Sequence, residues 1–336
     1  MVIKTQGMQF RIFLIITILV LSLNGCKKSD DAIESWEWTH FTEFGRQPIW
    51  SPDGSQVLFG DDHPGSAGLY LWDLNAEPIL LHAELPAHNW DYCWSPDGSH
   101  IAFTSPGGAD ETLAGVWSYS FNDGSLAHLF DRGRDVSWLY NNSDLAFRVD
   151  NPEGDAPGIY RLRLPEQGGT EGEADLLIAN GHKPRCSPQS DFIAYSDGEI
   201  NGRLHIINLD LDEAYQSEAG VVQWNWSYDG SRLAFILNNY TTGVLSDVLW
   251  GIDVTSPEEA DTLALWATYP ASDQRGDQIV FVRVQNGRLA GLWIYRTGEE
   301  ELRIATYGQN PSYDPTAERI AANSASGGIQ ILTRIR

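Results

Sequence analysis

WSPDGSQVLF at residues 50–59 returns as WSPDGSHIAF at 94–103 and as WSYDGSRLAF at 226–235. Looser copies fill the intervals: WLYNNSDLAF at 138–147, CSPQSDFIAY at 186–195, SDQRGDQIVF at 272–281 and YDPTAERIAA at 313–322. The seven starts lie 40 to 48 residues apart, with no gap needed inside the phrase. A period of that length built from short strands corresponds to one propeller blade per repeat.

The phrase has a direct physical reading. An aromatic residue ends one strand, and Ser-Pro-Asp-Gly makes the turn. Pro presets φ, Asp bonds its own backbone, and Gly accepts positive φ without a steric penalty. The apolar run after the turn is a second, mostly buried strand. A third strand follows each copy: LYLWDL at 69–74, VWSYSF at 116–121, IYRLRL at 159–164 and LHIINL at 204–209. The series goes on with LWGIDV at 249–254, LWIYRT at 292–297 and IQILTR at 329–334. A fourth, outer strand follows most of them, as in PILLHA at 78–83.

The seventh unit has no fourth strand downstream. Upstream of the first copy, however, lies WEWTHFTE at 36–43, followed by Gly45-Arg46-Gln47-Pro48. The same Gly-x-x-Pro approach, Gly308-Gln309-Asn310-Pro311, precedes the seventh copy. The expected fold is therefore an all-β, seven-bladed propeller spanning residues 36–336, with four antiparallel strands per blade. The N-terminal strand completes the last blade and removes an exposed edge.

The W-S-P-D-G-S-x-[IVL]-[AL]-F phrase resembles the WD40-like repeat of the TolB family of bacterial propellers. It is also similar to repeats in the propeller domains of prolyl oligopeptidase-type and dipeptidyl-peptidase-type enzymes. The TolB resemblance implies docking of peptides or envelope lipoproteins. TolB itself has six blades behind an α/β domain, so seven repeats mark this chain as a relative in repeat type and not an orthologue.

Residues 1–26 read as a lipoprotein signal peptide. Lys4 and Arg11 precede an apolar run at 12–23 that ends in Leu23-Asn24-Gly25-Cys26, which resembles a lipobox with Cys26 as the lipidated residue. Residues 27–35 then form a tether. The expected setting is the bacterial cell envelope, with the membrane engaged through the lipid anchor alone. Lys27 favours the outer membrane, facing the periplasm or the cell surface.

The chain carries 22 basic and 46 acidic residues, a net charge of −24. Removing Lys4 and Arg11 with the signal takes the basic count from 22 to 20 and the net charge from −24 to −26. Such a surface repels nucleic acid and anionic membranes. With Cys26 lipidated, Cys93 and Cys186 remain. They sit in inner strands two blades apart with opposite parity, and read as small buried hydrophobes.

If the Ser-Pro-Asp-Gly turns mark one face, the loops entering the inner strands ring the tunnel mouth on the other. The residues three and four before each repeated aromatic ring that mouth, Val222, Thr268 and Gln309 among them, and eleven form the candidate binding set: Arg46, Gln47, Trp90, Asp91, Arg134, Asp135, His182, Lys183, Gln223, Tyr269 and Asn310. Trp90, Arg134 and Tyr269 are the residue types expected to anchor a partner. Catalytic signatures are absent: there is no G-x-S-x-G elbow, and the eight histidines show no H-x-H or H-E-x-x-H spacing. A three-histidine centre like that of propeller-type uronate lyases would draw partners from separate blades. No catalytic residue, metal or cofactor is expected from the sequence. The favoured reading is a monomeric, non-enzymatic envelope module binding a protein, peptide or glycan at the tunnel mouth. The alternative is a glycan-active enzyme, a lyase or hydrolase, with its site in the tunnel.

Overall fold

The chain opens with β1 (Ser35–Phe41), which pairs antiparallel with the last strand, β28 (Ile329–Ile335), in a register that sets Trp36 opposite Arg334 and Phe41 opposite Gln330. Beyond the strand, the Thr42 N–H donates to the Ile329 carbonyl at 2.8 Å, and the Ile329 N–H donates to Thr42 Oγ1 at 3.0 Å. The two ends of the sequence thus close the ring. This computed structural model describes residues 35–335 apart from 64, 83–90, 107–113, 151–155, 165–172, 240–245, 259 and 286. Cys26 and Trp90 therefore lie outside the described residues.

Seven antiparallel sheets of four strands make the blades. The first is β2 (Arg46–Trp50), β3 (Val57–Asp61), β4 (Gly68–Trp72) and β5 (Ile79–His82), ordered from the axis outward. Five more blades follow in chain order, and the seventh takes β1 as its outer strand. The protein is a seven-bladed β-propeller.

The repeated phrase is the hairpin between the first two strands of a blade, and its polar residues hold the turn. Asp53 Oδ1 accepts from Ser51 Oγ at 2.6 Å and from the Ser55 N–H at 2.9 Å, while Gly54 sits at φ 71°. Asp97 and Asp229 do the same in their copies. The closing Phe is the deepest apolar group: Phe59, Phe103, Phe147, Phe235 and Phe281 are all fully buried between blades. Gly45 precedes the first inner strand for a steric reason. It sits at φ 104°, and a Cβ there would lie 2.3 Å from the Phe59 ring.

Tryptophan at the opening of the phrase packs its ring in every copy that carries it, and in two of the four its indole N–H is also a handle, while Trp94 and Trp138 bury theirs without a hydrogen bond. Trp50 Nε1 donates to the Ser312 carbonyl of the preceding blade at 3.1 Å, and Trp226 Nε1 to the Arg185 carbonyl at 2.9 Å. The residue just before the aromatic position adds a second stitch. Ser137 Oγ accepts the Cys186 N–H at 2.9 Å, Asn225 Oδ1 accepts the Ser272 N–H at 3.0 Å, and Ser312 Oγ accepts the Trp50 N–H at 3.4 Å. Blades whose sheets share no ladder are thereby hydrogen-bonded around the axis.

Candidate functional site

The mouth of the tunnel is shaped by a backbone feature that recurs around the ring. Three residues before the aromatic position, Gln47, Asp135, Lys183, Tyr269 and Asn310 all adopt positive φ, between 44° and 56°. The ladder skips at the same place, for example between Arg46 and Ile49, Arg134 and Ser137, and His182 and Arg185. Non-glycine residues adopt positive φ in only a few per cent of cases, and a bulge re-aims the side chains around it. The mouth is thus a ring of strained bulges.

These bulges give the sequence-predicted residues two different jobs. Several of them stitch neighbouring blades. The Gln47 N–H donates to Asn323 Oδ1 at 3.0 Å, and its carbonyl accepts the Tyr92 hydroxyl at 2.6 Å. Gln223 Oε1 accepts the Tyr269 N–H at 2.6 Å and Thr268 Oγ1 at 3.0 Å. Tyr269 is half-buried against the cluster containing Ile294 and Tyr313, so its ring packs as well as faces the mouth. Asp91 is buried, and its Oδ2 accepts the Val136 N–H at 2.9 Å and Thr104 Oγ1 at 3.2 Å. Burial, reinforced by the charge of Asp135, pushes its carboxyl up to about 7 against the pull of Arg185 and the two hydrogen bonds. Asn310 is half-buried, and Arg46 pairs with Asp62 at 3.2 Å.

The other group is brought together into one charged cluster on blades three and four. The third inner strand, β10 (Arg134–Trp138), starts at the mouth, and the next strand, β11 (Asp144–Val149), ends there. Arg134 Nε lies 2.6 Å from Asp150 Oδ2, and its Nη2 lies 3.3 Å from Glu199 Oε1. Arg148 Nη2 lies 2.5 Å from Asp150 Oδ1 and 3.4 Å from Glu199 Oε2. Lys183 Nζ donates to the Glu199 carbonyl at 3.4 Å. Three cations therefore face two carboxylates.

His182 stands in the same cluster. Partial burial, and then the charge of Arg148, hold its imidazole below the ordinary histidine value, and its Nδ1 is buried without a hydrogen bond. A neutral imidazole beside two guanidinium groups combines a base with a carboxylate receptor. Arg148 and Glu199 were not singled out from the sequence. The signal for Arg148 was a lone arginine in the apolar run Leu145-Ala146-Phe147-Arg148-Val149, whose side chain is only 8% exposed. Glu199 lies in an ordinary-looking polar loop, with no pattern to mark it.

At the other end of the tunnel, the last residues of all seven inner strands enclose a cavity of about 360 Å³. Trp50, Trp94, Trp138 and Trp226 wall it, together with turn residues such as Pro52, Pro96 and Pro188. This chamber lies on the Ser-Pro-Asp-Gly face, opposite the predicted mouth.

No family model matches the chain. Over 77 residues, 23% of this chain, it is 32% identical to the uncharacterized peptidase YuxL of Bacillus subtilis (strain 168), and that stretch covers 12% of the peptidase's length. Among solved structures, an oligogalacturonate lyase in complex with manganese superposes with a TM-score of 0.68 at 16% identity, covering 90% of this chain and 97% of that one. An oligogalacturonate lyase from Vibrio parahaemolyticus gives 0.66 at 12% identity, covering 89% and 96%. The hydrazine synthase of Kuenenia stuttgartiensis gives 0.60 at 11% identity, covering 87% and 95%. At these identities the likeness is one of fold.

The first neighbour is a manganese complex, and a metal ion at this mouth would require several donor side chains free to converge on it. Among the described residues, the one group of three ligand-type side chains within 4.8 Å of one another is Asp61, Asp62 and His63, on blade one. Its members already serve each other: Asp61 accepts from His63 Nδ1 at 2.7 Å and from Ser66 Oγ at 2.5 Å, while Asp62 holds Arg46. In the arginine-rich cluster on blades three and four, the two carboxylates, Asp150 and Glu199, are already engaged by Arg134 and Arg148, which leaves the His182 imidazole as the remaining donor. The residues present do not fit a metal centre there.

Proposed function

We propose that this propeller is a glycan-active enzyme of the lyase class, which takes an acidic oligosaccharide across the mouth at blades three and four. The observation that carries this reading is the His182 imidazole, held neutral beside Arg134 and Arg148. The fold likeness to oligogalacturonate lyases supports it and favours the enzymatic reading over a purely binding one. Glu199, with its side chain 53% exposed, spans the two arginines at 3.3 and 3.4 Å, and a uronate carboxylate would take its place. The guanidinium pair would then neutralise the charge that develops when the adjacent carbon is deprotonated. His182 takes the C5 proton, the C5 electrons form the C4–C5 double bond, and the C4–O glycosidic bond breaks. The departing oxygen takes the proton back from the imidazolium, so the step balances without a further reagent.

The test is incubation of the mature protein with oligogalacturonate and other uronate oligomers, following the ultraviolet absorbance of the unsaturated product. Activity is expected, with His182→Ala and Arg148→Ala reducing it by about a hundred-fold or more. Absence of product from every uronate oligomer would overturn the assignment. We propose as well that Cys26 carries a lipid anchor. Fatty-acid labelling should mark the protein, and labelling retained in Cys26→Ser would refute the anchor.

A further inference from the structure

The cavity at the turn end of the tunnel owes its shape to two departures from the repeat. Position one of the phrase is a large ring in five blades, Trp50, Trp94, Trp138, Trp226 and Tyr313, but Cys186 in the fourth and Ser272 in the sixth. The sixth gap is covered by a neighbour. Tyr228, which stands where the first two copies carry proline, lines the cavity and donates its hydroxyl to the Tyr313 carbonyl at 2.5 Å, crossing from blade five to blade seven. The fourth gap has no such cover. Between the buried rings of Trp138 and Trp226, the lining there is Cys186, Pro188 and Gln189.

Into this space the fourth inner strand, β14 (His182–Cys186), contributes Arg185. Its equivalents one position before the aromatic are short acceptors in three blades, Ser137, Asn225 and Ser312, consumed in stitching the next blade, and the apolar or weakly polar Ile49, Cys93 and Ala271 in the other three; Arg185 is the one cation among the seven. Arginine is too long for that stitch. Its Nη1 donates to the Pro184 carbonyl at 3.0 Å, and it forms no ion pair with any of the described residues. Its charge instead acts across the lumen on Asp91 and Cys93 of blade two. A half-buried guanidinium with no direct ion pair among the described residues, set in an aromatic-walled chamber beside a carboxyl that burial pushes toward its protonated form, is a receptor for an anion.

We propose that this chamber is a second binding site, separate from the mouth, for a small ring-bearing carboxylate, with the carboxylate on Arg185 and the ring face against the tryptophan walls. The volume is at the lower end of small-molecule sites and suits one ring rather than a chain. Two kinds of molecule share this chemistry, a sugar acid and an aromatic acid, and the two probes below separate them.

The test is calorimetric titration of the mature protein with monomeric galacturonate and, separately, with benzoate. At least one is expected to bind, and the acid that binds identifies the source. Arg185→Met should weaken it ten-fold or more, both in the otherwise native protein and in an Arg134→Ala/Arg148→Ala background that removes the mouth's own uronate contacts. Cys186→Trp restores the repeat's ring at blade four, fills the gap, and should abolish binding with the circular-dichroism spectrum and melting temperature retained. Binding of neither acid would overturn the proposal. So would unchanged affinity in both folded chamber variants, or loss of affinity in the mouth double variant alone.

Discussion

Replacing Asp91 with asparagine should flatten the pH dependence of folding stability between about pH 4 and pH 7. The carboxyl is buried just before the second inner strand, and burial raises it to about 7, against an ordinary value of 3.8. The native state therefore holds a proton that the unfolded chain gives up. Stability falls as pH rises from the unfolded value to the folded one, and is level on either side of that window. A gap of about three units at 1.36 kcal/mol each corresponds to about 4 kcal/mol lost across the window. The amide introduced by Asp91→Asn would keep an oxygen to accept the Val136 N–H and Thr104 Oγ1, the two bonds that fix Asp91. Urea midpoints measured at intervals from pH 3.5 to 8 give the two curves. The wild-type protein should descend relative to the variant by up to about 4 kcal/mol, and the curves should run parallel above pH 7. Parallel curves throughout the window would mean that Asp91 is ionised in the folded protein. The electrostatic account of the tunnel would then fail.

Three further outcomes follow from named contacts. Lyase activity should rise with pH and level off below the ordinary histidine value, because burial and Arg148 lower the pH at which His182 becomes a base; a pH–rate profile of kcat/KM checks this, and a limb centred well above that value would assign another base. Deleting residues 27–43 should lower the melting temperature markedly, since it removes β1 and exposes the edge of β28; a truncated ring as stable as the whole would refute closure by that strand. Tyr92→Phe should cost about 1 to 3 kcal/mol in chemical denaturation, because the Gln47 carbonyl and Gly60 N–H lose their shared hydroxyl; a change below 0.5 kcal/mol, on the order of an ordinary surface substitution, would show the stitch to be dispensable.

The fold was legible because the repeated phrase contains its own physics. Turn residues, an inward aromatic and a buried Phe recur with fixed spacing, so strand order, blade number and the exchange of β1 could all be read from linear sequence. The mouth was legible only as a set of positions. Nothing in Gln47, Asp135 or Lys183 signals a left-handed backbone, because none is glycine, and the bulge is imposed by how the inner strand leaves its ladder. Whether a mouth residue stitches or binds depends on its neighbours in other strands and blades: Gln223 is consumed by Tyr269, whereas Arg134 meets Arg148, Asp150 and Glu199. Those pairings cross 14 to 65 residues of sequence and have no local signature. The turn-end chamber was missed for a different reason. Cys186 and Ser272 look like worn copies of the phrase, and a missing ring becomes visible as space only once the ring closes.

The same inner-strand positions thus serve two ends that a propeller must reconcile. Short acceptors just before the aromatic, Ser137, Asn225 and Ser312, bind one blade to the next and leave little free for a ligand. Where that stitch is absent, the position is open to another side chain. At blade four the acceptor is replaced by Arg185 and the large ring by Cys186, so that interface loses a side-chain stitch while keeping the bond from Trp226 Nε1 to the Arg185 carbonyl. At its other end the same strand carries His182 and Lys183 into the charged cluster. One strand therefore faces both candidate sites, mouth and chamber.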